Sequence, residues 1–297
     1  MQAVILTESR YENPKDLNPY IENVLLEDSL VAEALMRRNF EVLRKDWNSS
    51  ELDWAEVDVA IFRSTWDYFD RFGEFSKWLE ETRDQTRFVN PYSLIKWNMD
   101  KHYLLDLREK GVQIPATLAL KKGNQMSLAE VFHSTDWKEA ILKPMVSGAA
   151  RHTYRLEAGN IEQHGDIYAE LIQSEDFMLQ EFQQNILQDG EVSMMVFGGK
   201  YSHAILKRAK KGDFRVQDDF GGTVHPYTPT VEEIEFAERV ALLCEPVPVY
   251  ARVDLTWDAQ RAPVLMELEL IEPELWFRFA PKAADLMAEA LVNYLRL

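Results

Sequence analysis

The stretch Tyr250-Ala251-Arg252-Val253-Asp254-Leu255-Thr256-Trp257, followed across Asp258–Pro263 by Val264-Leu265-Met266-Glu267-Leu268-Glu269-Leu270, decides how this chain is read. Both runs alternate with period two, the pattern of strands buried on one face. Arg252, Asp254 and Thr256 then share a face, and Glu267 and Glu269 share a face of the returning strand. With Trp257 paired to Val264, the same register sets Asp254 opposite Glu267, with Cβ atoms about 5 Å apart. Like charges that close destabilise a sheet unless something positive sits between them. Asp254, Glu267 and Glu269 are therefore expected to hold a hard cation with oxygen ligands, such as Mg²⁺. A solvated acidic strand face is the competing reading, and the Leu, Met and Val residues between the acids argue against it.

Working backwards, residues 177–206 read as antiparallel. Phe177–Phe182 is one strand, and Glu191–Phe197 and Lys200–Leu206 form a hairpin around Gly198-Gly199. Next comes Lys207-Arg208-Ala209-Lys210-Lys211-Gly212-Asp213-Phe214-Arg215, read as a cationic loop suited to a polyphosphate. A helix over 230–243 starts behind Thr230, and a final helix runs over 281–296. Upstream, Glu139–Lys143 and Arg151–Leu156 form a hairpin whose tip carries Ser147-Gly148-Ala149-Ala150. Lys143 at that strand end, beside small-residue amides, can cradle phosphate oxygens. Lys101 opens a helix expected over 98–110. Spacing alone leaves both lysines equally readable as exposed side chains.

The first third alternates strand and helix: strands at 2–6, 40–43 and 57–62, and a helix at 27–39 ended by Asn39. That order predicts a small parallel sheet covered by helices, with ligand groups at the carboxyl ends of its strands. Arg63, Ser64, Trp66 and Asp67 stand at such an end and suit a carboxylate substrate, although Trp66 and Tyr68 read equally well as core. No Gly-x-Gly-x-x-Gly follows the first strand, no Walker loop or Gly-x-Ser-x-Gly elbow occurs, and the six histidines lack metal-ligand spacing. Dinucleotide-binding, P-loop and hydrolase readings are unsupported. A net charge of −17 disfavours nucleic acid and anionic membranes, and no window approaches the roughly 20 apolar residues of a membrane helix. Cys244 alone excludes an intramolecular disulfide and fits a reducing cytoplasm. The N-terminus reads as a buried strand rather than a signal peptide.

Taken in order, Arg63-Ser64-Thr65-Trp66-Asp67-Tyr68, Asn98-Met99-Asp100-Lys101, Leu142-Lys143-Pro144, Leu179-Gln180-Glu181-Phe182, Gly190-Glu191-Val192-Ser193, Lys207 through Arg215, Arg252-Val253-Asp254 and Glu267-Leu268-Glu269 form a set that resembles the ATP-grasp superfamily. Within it, the chain is similar to D-cycloserine synthetase-like and glutathione synthetase ATP-binding-fold ligases. The resemblance covers nearly the whole chain and implies an α/β protein of the ATP-grasp fold. Its lobes would be an N-terminal parallel α/β (pre-ATP-grasp) lobe at 1–95, a central lobe at 96–176 and a C-terminal lobe at 177–297, with ATP between the last two. It implies Lys101 and Lys143 on phosphates under the Ser147-Gly148 loop, and Glu181 and Phe182 at adenine through backbone groups. Glu191 would meet the ribose, Lys207 and Arg215 the transferring phosphoryl group, and Asp254, Glu267 and Glu269 one or two Mg²⁺ ions, with Mn²⁺ a substitute.

The implied activity is ATP-dependent joining of a small carboxylate to an amine through an acyl phosphate. A cyclising ligase acting within one molecule, and a nucleotide-binding protein without ligase activity, are the alternatives. Many relatives carry Glu-x-Asn where this chain has Glu267-Leu268-Glu269, and Ile271-Glu272-Pro273-Glu274-Leu275 replaces a glycine-containing turn, which leaves the acceptor open. Expected partners are small molecules and, from base rates, a second copy of the chain.

Overall fold

The computed structural model describes every residue except 149, 211, 214–220 and 297. Among the described residues, three sheets follow one another along the chain. The first is parallel, with order β2-β1-β3-β4: β1 (Gln2–Thr7), β2 (Glu41–Asp46), β3 (Val59–Ser64) and β4 (Arg87–Val89). Its central strands β1 and β3 are buried on both faces, as parallel strands are when helices cover them, while the edge strand β2 is half-buried. The covering helices are α1 (Ser9–Glu12), α2 (Pro19–Met36) and α3 (Phe72–Thr82). Helix α2 starts eight residues before the expected position because Asn18 accepts the amide of Ile21 at 2.9 Å and Pro19 occupies the first helical turn. After it, Asn39 takes a left-handed φ of 64° and turns the chain into β2.

The helix expected over 98–110 is two helices, α4 (Tyr92–Asn98) and α5 (Tyr103–Glu109). The break has a physical cause. The amide of Lys101 bonds Met145 O at 2.8 Å instead of a carbonyl one turn back, and the Asn98 side chain bonds Leu268 O and Leu270 N, each at 2.8 Å. The linker is thereby tied to both other sheets.

The second sheet is antiparallel, with order β5-β8-β6-β7: β5 (Thr117–Leu120), β6 (Glu139–Pro144), β7 (Tyr154–Glu157) and β8 (Phe177–Glu181). Helices α6 (Leu128–His133) and α7 (Gly165–Leu171) pack on it. Because β8 pairs with both β5 and β6, this sheet runs past the boundary expected at 176/177. The strand expected to open the last lobe therefore pairs within the second sheet.

The third sheet, also antiparallel, has order β11-β10-β9-β12-β13: β9 (Glu191–Phe197), β10 (Lys200–Arg208), β11 (Thr223–Tyr227), β12 (Tyr250–Trp257) and β13 (Pro263–Glu269). Short α8 (Asn185–Gln188) leads into it. Helix α9 (Val231–Leu242) opens with the expected Thr230 cap, completed by Glu233 into a capping box. One face of the sheet carries Val192, Met194, Val253 and Leu255 into a core with α9 and α5. The opposite face carries Met195, Phe197 and Tyr250 against the parallel sheet, α2 and α10 (Ala283–Leu295). At the near end of that second face stand Glu191, Ser193 and Asp254. No described helix is long and apolar enough to cross a membrane.

Candidate active site

The β12–β13 hairpin carries the acids. Trp257 pairs with Pro263 rather than Val264, yet Asp254 still faces Glu267. A bulge between those pairs takes up the difference, at Met266. Asp254, Glu267 and Glu269 each offer an oxygen within 4.8 Å of the others. Cations interleave with them, which is what makes the crowding tolerable. Arg252 donates to Asp254 at 2.8 Å and also pairs with Glu269, while Lys101 holds Glu267 at 2.8 Å. Ser193 donates to Asp254 at 2.5 Å. This all-oxygen donor set, already arranged around positive charge, fits Mg²⁺.

Lys207 was expected in a loop. It ends a strand instead, in β10, opposite Glu191 of β9 and 3% exposed. Its ammonium lies 2.5 Å from Glu191 and 3.2 Å from Asp254. The close approach depends on Gly190 with φ of +90°, where a Cβ would sit 2.3 Å from the carbonyl of Lys207. Arg215 lies outside the described residues.

A cleft of about 750 Å³ separates the central and last sheets and reaches the parallel sheet. Lys101, Lys143, Ser147, Gly148, Glu181, Phe182, Glu191, Lys207, Glu267, Glu269 and Trp66 all line it. Lys101 also donates to Ser147 O at 2.8 Å, fastening the small-residue loop. Lys143 makes no ion pair with the described residues. At one end Ile141, Phe182, Ile186 and Met266 form an apolar slot into which the bulge turns Met266. The amides of Glu181 and Phe182 already bond Ala116 O and Glu139 O, at 2.8 and 3.1 Å, so these two N–H groups do not face the cleft.

The parallel-sheet residues divide. Trp66 lines the cleft and donates its indole N–H to Glu272 O at 2.9 Å. Arg63, 2% exposed, is turned to Glu27 and to Pro273 O at 2.9 Å. Ser64 lies 2.6 Å from the Thr7 hydroxyl. Asp67 accepts from Trp47 at 2.8 Å and Arg71 at 2.7 Å, facing the aromatic core. Sequence reading missed Arg10 and Tyr11 in the one-turn α1 and Tyr20 at the start of α2, which line the cleft without a periodic signal. It also gave no role to Arg252, whose place beside Asp254 the strand alternation already contained.

Charges follow this geometry. Burial raises the Asp254 carboxyl, but Arg252 and Lys207 outweigh it and hold it down at about 2. For Glu269, burial prevails over Arg252 with help from Glu267 and Asp254, and pushes it up to about 7. Burial and Glu269 push Glu272 up to about 8. Burial lowers the Lys143 ammonium against the pull of Glu267, with repulsion from Lys101 adding to the effect. Lys143 is thus a buried cation with no ion-pair partner among the described residues, the chemistry of a position that binds an anion.

Comparison with known proteins identifies the family. Residues 3–90 match the family model described as D-cycloserine synthetase DcsG, N-terminal domain. The cycloserine biosynthesis protein DcsG of Streptomyces lavendulae is 30% identical over 269 residues, 84% of this chain and 88% of that protein. The crystal structure of D-cycloserine synthetase DcsG superposes with a TM-score of 0.85 at 25% identity, covering 99% of this chain and 100% of that one. The D-alanine–D-alanine ligase of Bacillus anthracis, solved in complex with ATP, shares the fold with a TM-score of 0.65 at 15% identity, covering 100% and 98%. The protein is an ATP-grasp ligase, an enzyme that forms carbon–nitrogen bonds. Within that class the chain belongs to the D-cycloserine synthetase DcsG family.

Proposed function

We propose that this enzyme binds ATP and Mg²⁺ in the cleft, activates the carboxylate of a small amino-acid-like substrate as an acyl phosphate, and transfers the acyl group to an amine. One observation carries the reading: across one cleft that ends in an apolar slot, the three-carboxylate hairpin faces the loop-bound Lys101 and Lys143, which has no ion-pair partner among the described residues. The slot of Ile141, Phe182, Ile186 and Met266 suits a flat base. Lys101, Lys143 and the Ser147-Gly148 loop suit the phosphates, and Glu191, which lines the same cleft, is proposed for the ribose. Asp254, Glu267 and Glu269 would hold Mg²⁺, which supplies neutralisation of phosphate charge when bound.

The substrate carboxylate oxygen attacks the γ-phosphorus, the bond to the β-bridging oxygen breaks, and ADP leaves. Lys143 and Lys207 meet the charge on the transferring group, and Arg215 is proposed with them. An amine nitrogen then attacks the acyl carbon, phosphate departs, and the amine loses its proton. No side-chain nucleophile is required, and positioning by the lysines and the loop supplies much of the rate. Membership of a family described by D-cycloserine synthetase supports a second reading of the last step, in which amine and carboxylate belong to one molecule and the product is a ring.

The test is ADP release with Mg²⁺ across a panel of amino acids and small carboxylates, singly and in pairs, with mass spectrometry of products. Glu267→Gln should lower turnover roughly 100-fold or more, the effect of removing one preorganised electrostatic group. Loss of water from a single substrate identifies cyclisation, and joined masses identify the two-substrate reaction. A folded protein that neither binds nor turns over ATP refutes the proposal.

A further inference from the structure

Glu267 and Glu269 stand on β13, which among the described residues is the last strand of its sheet. It pairs with β12 on one side, where Glu267 opposes Asp254 and Glu269 opposes Arg252. The main-chain groups of the neighbouring Leu268 and Leu270 point the other way, where an edge strand ordinarily leaves them to water. Here all four are taken by side chains. The Leu268 N–H donates to Tyr103 Oη at 3.1 Å, and Leu268 O accepts from Asn98 Nδ2 at 2.8 Å. The Leu270 N–H donates to Asn98 Oδ1 at 2.8 Å, and Leu270 O accepts from Asn90 Nδ2 at 2.7 Å. Asn98 thus offers β13 an acceptor and a donor together, as a peptide group of a neighbouring strand would. Beyond the bulge at Met266, the Leu265 N–H donates to Gln113 O at 2.9 Å.

The side chains that do this are buried and held in turn. Asn98 ends α4, and Tyr103 opens α5 with its ring against Trp97 at 5.5 Å between centroids. Between them lies Lys101. Its ammonium meets Glu267 and Ser147 O, each at 2.8 Å, and its N–H meets Met145 O at 2.8 Å. The segment 98–103 therefore fastens the acid-bearing strand on one side and the loop after β6 on the other. A strand tied along one edge only can flex, and flexing changes the spacing of its carboxylates. Mg²⁺ tolerates little of that, because it demands near-octahedral oxygen ligands at about 2.0–2.1 Å. Ca²⁺ accepts roughly six to eight oxygens at about 2.3–2.6 Å in adaptable geometry.

We propose that Asn98 and Tyr103 are positioning residues for the metal: standing in for a neighbouring strand, they hold Glu267 and Glu269 stiffly enough for the site to select Mg²⁺ over the larger Ca²⁺. The inference rests on the ligase reading above and adds the origin of its metal selectivity. Neither side chain is a ligand to the ion. Each acts through the main chain of Leu268 or Leu270, which carries the two glutamates.

The experiment is calorimetric titration of a non-hydrolysable ATP analogue into the full chain with Mg²⁺, with Ca²⁺, and with EDTA and neither ion. Wild type, Asn98→Ala and Tyr103→Phe are compared, each checked for cooperative thermal unfolding. Wild type should bind the analogue more tightly with Mg²⁺ than with Ca²⁺. In Asn98→Ala the affinity with Mg²⁺ should fall roughly 10- to 100-fold, the range for losing a group that orients a metal ligand, while affinity with Ca²⁺ or without metal changes by less than about threefold. Tyr103→Phe, which keeps the ring and removes a single acceptor, should move the same way by less. It also carries the test should Asn98→Ala fail to fold. With Mn²⁺ as the probe, the electron paramagnetic resonance lines of the ternary complex should broaden in both variants, reporting a spread of ligand geometries in folded protein. Any of four outcomes overturns the proposal: folded variants that keep the wild-type ratio of Mg²⁺ to Ca²⁺ affinity, an equal loss with both ions, unbroadened Mn²⁺ lines, or a wild type indifferent between the ions. An analogue that fails to bind wild type under every condition would instead refute the ligase reading.

Discussion

Gly148 is where the small-residue loop after β6 meets the first lobe, and replacing it by alanine tests whether that meeting matters. A Cβ built on Gly148 would lie 2.5 Å from Cε1 and 2.8 Å from Cδ1 of Phe69. Ordinary carbon contacts are about 3.5–4.0 Å, so ring or loop must yield by about 1 Å. Phe69 is half-buried and stacks edge-on against Tyr68 at 5.6 Å, so its ring has limited room to retreat. Overpacking of this kind costs about 1–3 kcal/mol. If the loop closes over phosphates as proposed, that energy is drawn from nucleotide binding and weakens it by roughly 5- to 150-fold. The assay is calorimetric titration of a non-hydrolysable ATP analogue with Mg²⁺, with thermal unfolding measured in parallel. Phe69→Ala removes the clashing ring, so Gly148→Ala/Phe69→Ala should bind several-fold better than Gly148→Ala alone. Wild-type affinity in Gly148→Ala, or equal impairment with and without the Phe69 ring, would refute the reasoning.

Two further outcomes follow from the geometry. Asn90 is fully buried and bonds Tyr250 O at 2.8 Å, Leu270 O at 2.7 Å and Val249 N at 2.7 Å, so Asn90→Ala strands three main-chain groups joining the first and last sheets. Denaturant unfolding should show a loss of about 3–5 kcal/mol, and a loss under about 1 kcal/mol would contradict the role given to Asn90. Glu269, raised to about 7, holds a proton in the folded protein that an unfolded chain releases near its ordinary value of 4.5. Its contribution to metal-free stability is therefore present at low pH and fades as pH rises through 7. Mg²⁺ must displace that proton, so affinity measured by calorimetry should strengthen between about pH 6 and 8, and Glu269→Gln should flatten the profile. A pH-independent affinity would exclude Glu269 from the metal set.

How much of this was legible beforehand varies by element. The β12–β13 hairpin was, because strand alternation and a short connection constrain register so tightly that Asp254 fell opposite Glu267 even though the pairing at the turn was off by one. The capped start of α9 and the Gly198-Gly199 turn were legible too, since each depends on neighbours within four residues. The boundaries that failed depended on distant partners. The break between α4 and α5 exists because Met145, Leu268 and Leu270 claim the hydrogen bonds of Lys101 and Asn98. The strand β8 belongs to the central sheet because β5 and β6 lie beside it, a fact its own composition does not contain.

The candidate site divides along the same line. The amino-acid order alone determined which residue types could do the chemistry: carboxylates at period two, lysines at strand ends, small residues at a hairpin tip. Tertiary structure decided which of them meet. It placed Lys207 in a strand between Glu191 and Asp254, and took Arg63 to Glu27 and Asp67 to Trp47 and Arg71. It also brought Glu272 into the cleft on a turn whose carbonyls are held from up to 210 positions away, the separation of Arg63 from Pro273. The reason is physical. Periodicity fixes the direction of a side chain relative to its own element, whereas the partner that neutralises or exposes its charge is set by how separate elements pack.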